Sequence, residues 1–282
     1  GFGITGKNKN FDIINIEDKN IPIFVILNKL YGGLEIKMEW LKRNINPKPK
    51  KIFCVEHQPE KYEKMSNIPC KRIMWSADHE IFRIIDIKYK YDLLFSGVIN
   101  YKQTNNLRKK IFEKINKIKD KYHIYLNLNY NDTEGLVSEN IDGKIHNKEV
   151  IKEKGSNFKR SFYKFSNEEY VKLINNSKIC LVTTGPGDLI GTRFFEVMSV
   201  GKSLILCNKM DYEIYQDYLI DNFNCVMFND ENDFFNKFEY FIKNEEKRKS
   251  IVINAFEYFQ KNLKWDHQVD KLINYIKMYN IR

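Results

Sequence analysis

Asp188 and Glu196 stand eight positions apart in the stretch KICLVTTGPGDLIGTRFFEVMSVGKSLILCN, residues 178–208. Gly185, Gly187 and Gly191 surround the first acid, with Thr183, Thr184 and Thr192. Glycines let a backbone approach a ligand with no side chain in the way. Free N–H groups at a helix start attract phosphate, and the threonines add hydroxyl donors. A carboxylate beside such a turn accepts hydrogen bonds from both hydroxyls of a ribose. The chemistry on offer is the holding of a phosphate-bearing, hydroxyl-rich ligand. No Gly-Lys-Ser/Thr closes the turn, so it is not a P-loop. Position 190 is Ile, so the dinucleotide pattern G-x-G-x-x-G also fails. A tight structural turn between packed elements explains the glycines equally well on the residues alone.

The two acids carry the same double reading. Glu196 falls inside RFFEVM, beside residues that must face a core, and a carboxylate there needs a partner. Arg193, three residues earlier, is one candidate; a ligand is the other. Asp188 serves either as a sugar-hydroxyl acceptor or as a turn and capping residue.

The elements that position these residues follow from hydrophobic periodicity. Short apolar runs alternate with longer amphipathic ones, the pattern of an α/β fold with parallel strands. Strands are expected at 21–28, 51–57, 71–77, 91–100, 122–130, 178–184, 203–208 and 224–229. Helices are expected at 34–44, 106–121, 166–177, 192–200, 211–220, 231–243, 245–260 and 266–279. Ser166 with Glu169 forms a capping box, and Gly201 stops the helix that holds Glu196. The stretch from about 131 to 166 reads as loop. The polar run DHEIFRIIDIKYK separates a first region of about three strands from a second, doubly wound region.

Composition narrows the class. With 43% hydrophobic and 30% charged residues the chain is an ordinary globular one, and no apolar run approaches the about 20 residues of a membrane span. The five cysteines show no C-x-x-C spacing, which argues for core thiols in a reducing, cytoplasmic setting rather than zinc or disulfides. The net charge of +10 attracts polyanions of any kind, but the lysines are interleaved with acids along helices, as on a solvated face. The start GFGIT lacks an initiating Met, and the expectation is a piece of something longer.

The central stretch resembles the donor-site motif of glycosyltransferases of the GT-B fold, particularly the family 4 or group 1 type. That motif reads acid, two residues, glycine, four residues, glutamate, then an apolar stretch and a glycine. Asp188-Leu-Ile-Gly191 and Glu196-Val-Met-Ser-Val-Gly201 match the spacing, with Asp where the family usually has Glu. YDLLFSGVIN with the following NNLRKKI resembles the first strand of the donor domain. SADHEIF resembles the interdomain joint, and NDENDFFNKFEYFIKNEEKRKSI the closing helices. The match spans roughly residues 72–280.

The resemblance implies two Rossmann-like domains. An acceptor-side domain at 1–88 is short or incomplete, a donor domain occupies 89–265, and a helix at 266–282 packs back on the first. It implies transfer of a sugar from a UDP- or GDP-type nucleotide sugar to a glycan, lipid or protein acceptor, metal-independent and retaining. Glu196 would hold the ribose, while Gly97, Gly185, Gly187, Gly191 and Thr192 would line the pyrophosphate. Asp188 would touch the transferred sugar. Arg108 would neutralise the leaving diphosphate, helped by Lys102, Lys159 or Arg160. No resident cofactor, specific nucleic acid partner or transmembrane segment is implied. His57 and His79 are the histidines before the second domain, and neither earns a catalytic role. Two other classes stay open: a non-catalytic or degenerate nucleotide- or polyanion-binding domain, and a nucleotide-sugar epimerase on the same fold. Nucleic-acid binding rests on charge alone.

Overall fold

The computed structural model describes residues 23–27, 39, 41, 49–54, 59–99, 106–130, 140–141, 144–145, 151–152, 158–161, 165–185, 190–210 and 215–278. The chain divides into two compact units, residues 1–75 with 268–282 and residues 76–267.

In the first unit β1 (Phe24–Leu27), β2 (Lys51–Cys54), α1 (Pro59–Ser66) and β3 (Cys70–Arg72) build a parallel sheet in the order β1-β2-β3. Ile52, Phe53 and Cys54 are consecutive and all buried, as on a parallel strand covered on both faces. Leu41, Tyr62 and Ile68 complete this core. Phe53 stacks on Tyr275 at 6.3 Å, and the Lys71 ammonium lies 4.7 Å from the centre of the same ring. The strand expected over 71–77 is paired only at Cys70–Arg72. The helix expected at 34–44 lies outside the described residues, apart from Glu39 and Leu41.

The second unit opens with β4 (Tyr91–Ile99), α2 (Asn106–Ile118) and β5 (Ile124–Tyr130). Four short strands follow: β6 (Asn140–Ile141), β7 (Lys144–Ile145), β8 (Ile151–Lys152) and β9 (Phe158–Ser161). Then come α3 (Asn167–Asn175), β10 (Ser177–Val182), α4 (Thr192–Val200), β11 (Leu204–Asn208), β12 (Val226–Phe228), α5 (Glu231–Lys243) and α6 (Glu245–Asn262). The last helix, α7 (Trp265–Lys277), begins here and continues into the residues of the first unit. Among the described residues none of these helices is long and apolar enough to cross a membrane.

The sheet order is β12-β11-β10-β4-β5-β9-β8, parallel throughout except for β8. Counting only the parallel strands along the chain, this is the doubly wound order 3-2-1-4-5-6 read from the other edge. Leu93, Phe95, Ile124, Leu126, Ile179, Leu181, Leu204, Leu206, Val226 and Phe228 share one core cluster with Ile111 and Phe112 of α2 and Phe234 and Phe238 of α5. Their period of two places them on one face. The intervening Leu94, Tyr125, Cys180, Val182, Ile205 and Cys207 are buried as well, so both faces are covered.

Two sequence expectations change here. The stretch read as loop contains β8 and β9, and β9 joins the main sheet beside β5. Strands this short carry too few residues to show a period. The helix expected over 211–220 is, within its described part, a single turn in which Tyr218 and Leu219 donate to the Tyr215 carbonyl. The Asn224 side chain accepts from the Ile220 N–H at 2.7 Å and donates to the Tyr218 carbonyl at 3.0 Å, taking backbone groups a helix would use.

The helix ends match the sequence signals. Ser166 and Glu169 exchange both bonds of the capping box. Asp230, which the sequence reading did not single out, caps α5 through the N–H groups of Asn232 and Asp233. Gly201 ends α4 with φ of 64°, and a Cβ there would meet Phe256 Cδ2 at 2.5 Å. Residues 82–90 lack regular structure and are held by side chains instead. Asn175, fully buried, accepts from the Ile85 N–H at 2.8 Å and donates to the Arg83 carbonyl at 3.1 Å. Ser199 donates to the Phe82 carbonyl, and Lys202 to those of Ile85 and Ile87.

Replacing Asn175 by Ala removes these bonds and strands buried backbone groups, so urea unfolding should show a loss of about 2–3 kcal/mol. Gly201→Ala should cost at least about 1–2 kcal/mol from the left-handed backbone alone, and more from the Phe256 ring. A melting temperature equal to wild type would contradict that local geometry.

Candidate functional site

Strands β4 and β10 are neighbours, with Leu181 paired to Phe95. The chain leaves β4 toward β5 on one side and leaves β10 toward β11 on the other. Right-handed crossovers then separate the two connections, which makes the carboxyl ends of this strand pair the topological switch point of the sheet. The glycine turn begins there, directly after Val182.

Two side chains hold the base of the turn. Arg108, from the first turns of α2, donates through Nε to Thr183 Oγ1 at 2.6 Å and through Nη2 to the Thr184 carbonyl at 2.5 Å. Asn208, the last residue of β11, accepts from the Thr184 N–H at 2.9 Å and donates from Nδ2 to Thr184 Oγ1 at 3.0 Å. Thr184 and Asn208 are both buried, so their polar groups need these bonds. The role of Asn208 was not drawn from the sequence. Its one signal there is a polar residue closing the apolar run LILCN.

Gly191 sits in extended backbone as the N-cap of α4 and supplies no side-chain cap. The first N–H groups of α4 thus receive no side-chain cap from Gly191. Thr192 opens the helix, and Glu196 lies one turn in, half-buried among Phe195, Val197 and Met198. Among the described residues Glu196 forms no salt bridge with Arg193. Both lie near Tyr170 of α3. Burial pushes that phenol well up, the Arg193 charge pulls it down and the Glu196 charge raises it.

Gly97, near the carboxyl end of β4, is needed for packing. A Cβ there would stand 2.7 Å from the Phe95 ring and 3.4 Å from Nη1 of Arg193. The structure thus brings Gly97, Arg108, Gly185, Gly191, Thr192 and Glu196 to one end of two adjacent strands. It also places Arg193 there, which the sequence suggested only as an ion-pair partner for Glu196. Lys159 and Arg160 are set apart, on β9, opposite Tyr125 and Leu126 of β5. At about 4.8 Å per strand their backbone is about 10 Å across the sheet from β4. Asp188, Gly187, Lys102 and His57 lie outside the described residues. His79 has a buried Nδ1 with no hydrogen-bond partner among the described residues and lies in the stretch before β4, away from the turn in sequence.

All five cysteines are free, and burial pushes Cys180 up to about 12 and Cys70 up to about 11. Neither is a thiolate at neutral pH.

Residues 140–274 match the family model described as glycosyl transferase-like, a span that includes the glycine turn and Glu196 but neither Gly97 nor Arg108. No curated protein sequence matches the chain significantly. Among solved structures, the chain is similar to sucrose-phosphate synthase from Thermosynechococcus elongatus, with a TM-score of 0.59 and 10% identity over 88% of this chain and 62% of that one. TarM matches with a TM-score of 0.60 and 12% identity over 91% of this chain and 50% of that one. Anabaena HepE, solved in complex with UDP-glucose, matches with a TM-score of 0.61 and 9% identity over 91% of this chain and 72% of that one. The chain therefore spans about half to three-fifths of the first two. It has the fold of the GT-B glycosyltransferases, and its residues 140–274 match the glycosyl transferase-like family model.

Proposed function

We propose that the protein is a glycosyltransferase that moves a sugar from a nucleotide-diphosphate sugar to a carbohydrate-type acceptor, without a metal and with retention at the transferred carbon. One observation carries the reading. The acid-glycine-glutamate stretch follows β10 at the switch point between β4 and β10, where open parallel sheets bind their ligands. The HepE complex with UDP-glucose favours a nucleotide sugar as the ligand class on this fold.

Glu196 accepts the two ribose hydroxyls in this reading, and its half-buried site strengthens those bonds. The pyrophosphate rests on the backbone of Gly185, Gly187 and Gly191, with Thr192 and the first N–H groups of α4. Departure of a nucleoside diphosphate builds negative charge, and donors fixed beforehand stabilise it without reorganising. Arg108 is fixed in that sense, its guanidinium held by Thr183 and Thr184. Asp188 touches the transferred sugar. The donor base is read out by titration across UDP and GDP.

Calorimetric titration with UDP, GDP, ADP and their sugar conjugates should show selective binding of one nucleotide. Glu196→Ala should weaken it by about 10- to 100-fold, the worth of charge-assisted hydrogen bonds, with an unchanged melting curve. Equal affinity in wild type and variant would remove Glu196 from the ribose. Excess EDTA should leave the affinity of the donor unchanged, and a strict need for a divalent ion would contradict the metal-free reading.

A further inference from the structure

Glu196 meets a ligand only in the direction that α4 presents it, and packing alone does not fix that direction. The buried side chains of α4 are Phe194, Phe195, Val197, Met198, Ser199 and Val200, and all but Ser199 are apolar. At about 100° per residue these positions point to every side of the helix axis. Apolar contacts are non-directional, so a helix buried all round is held in place but weakly fixed in rotation. Rotation matters because a side-chain tip lies about 5–6 Å from the axis, and a turn of about 20° carries it about 2 Å. A misplacement of about 1 Å is enough to cost about 100-fold in a reaction.

Ser199 supplies a directional tie. It is 1% exposed, and its hydroxyl donates to the Phe82 carbonyl at 2.6 Å. It stands three residues after Glu196, about 60° around the axis and nearly one turn along. The acceptor is itself anchored. The Phe82 N–H donates to the Asp78 carbonyl at 2.8 Å, and the buried Phe82 ring meets Tyr170 of α3 edge-on, with centroids 6.4 Å apart. Further along the same segment, Asn175 of α3 holds Arg83 and Ile85, and Lys202, just past the end of α4, holds Ile85 and Ile87. The Tyr170 phenol in turn lies close enough to Glu196 to feel its charge.

We propose that Ser199 is a positioning residue for Glu196: its bond to the Phe82 carbonyl sets the rotation of α4 and so aims the carboxylate at the ribose, an assignment that rests on the donor-site reading above. Being buried, Ser199 acts through the helix and not by contact with a ligand.

The test is a double-mutant cycle read against the ribose hydroxyls. Wild type, Glu196→Ala, Ser199→Ala and the double variant are each titrated with the nucleoside diphosphate that wild type selects and with its 2′,3′-dideoxy analogue. Wild type should prefer the hydroxylated ligand by about 10- to 100-fold, and Glu196→Ala should lose that preference. Ser199→Ala should cut it by about 5- to 10-fold and leave the affinity for the dideoxy analogue unchanged. Added to Glu196→Ala, it should change nothing further, as expected of two residues acting through one contact. Ser203→Ala controls for lost stability: it removes a similarly buried hydroxyl that donates to the Ile174 and Ser177 carbonyls, off α4, and should keep the full preference. Ser199→Cys keeps a weak donor and should fall between wild type and Ser199→Ala; it carries the comparison if the alanine variant does not fold. Equal losses for both ligands, or a full hydroxyl preference in the Ser199 variants, overturn the assignment and leave the donor site standing. A wild type without the hydroxyl preference, or a Glu196→Ala variant that keeps it, removes the ribose reading and this assignment with it.

Discussion

The parallel pairing of β4 with β10 is the constraint from which the rest of the second unit follows. Each strand must cross to its next partner through a right-handed connection. Because β4 continues to β5 and β10 continues to β11, the two connections diverge. The carboxyl ends of β4 and β10 form the topological switch point of a sheet whose two faces are covered. At their amino ends the same strands are tied shut. Asp92 pairs with Lys178 at 2.7 Å and accepts from the His123 N–H at 3.0 Å, which joins β4, β10 and β5. One end is sealed by a partly buried ion pair, and the other presents glycines, threonines and guanidinium groups.

Shape at that open end is set by polar bonds rather than by packing. Apolar contacts are non-directional and would not fix a turn to a fraction of an ångström. The bonds from Arg108 and Asn208 to Thr183 and Thr184 are directional and come from two different elements. They pin the first residues after β10, and Gly191 hands the chain to α4 without a capping side chain. A turn base fixed by such bonds is held in place before any ligand arrives, which is the preorganisation that charge stabilisation requires.

Much of this was legible in the residues, for identifiable reasons. Long elements with strong periods, such as α5 at Glu231–Lys243 and α4 at Thr192–Val200, fall where the sequence placed them. Caps with a known chemistry, Ser166 at the start of α3 and Gly201 at the end of α4, fall there too. Strand β9 was invisible because four residues carry no period, and it is anchored by pairing to β5. The turn at Tyr215 looked helical because its apolar spacing is helical; Asn224, outside that window, draws off its backbone groups. In the site, glycine and acid spacing pointed to the turn. Arg193 did not stand out, because its reach to Gly97 depends on two strands eighty-odd residues apart becoming neighbours. Asn208 is the same kind of case.

The most direct test of this account is a crystal structure of the chain with a bound nucleoside diphosphate. The phosphates are expected over the carboxyl ends of β4 and β10, against the backbone of Gly185 and Gly191, with the ribose at Glu196. Density instead at the carboxyl ends of β11 and β12, beside Lys209 and Lys237, would contradict the account, as would a crystal soaked to saturation that leaves the β4–β10 switch point without ligand.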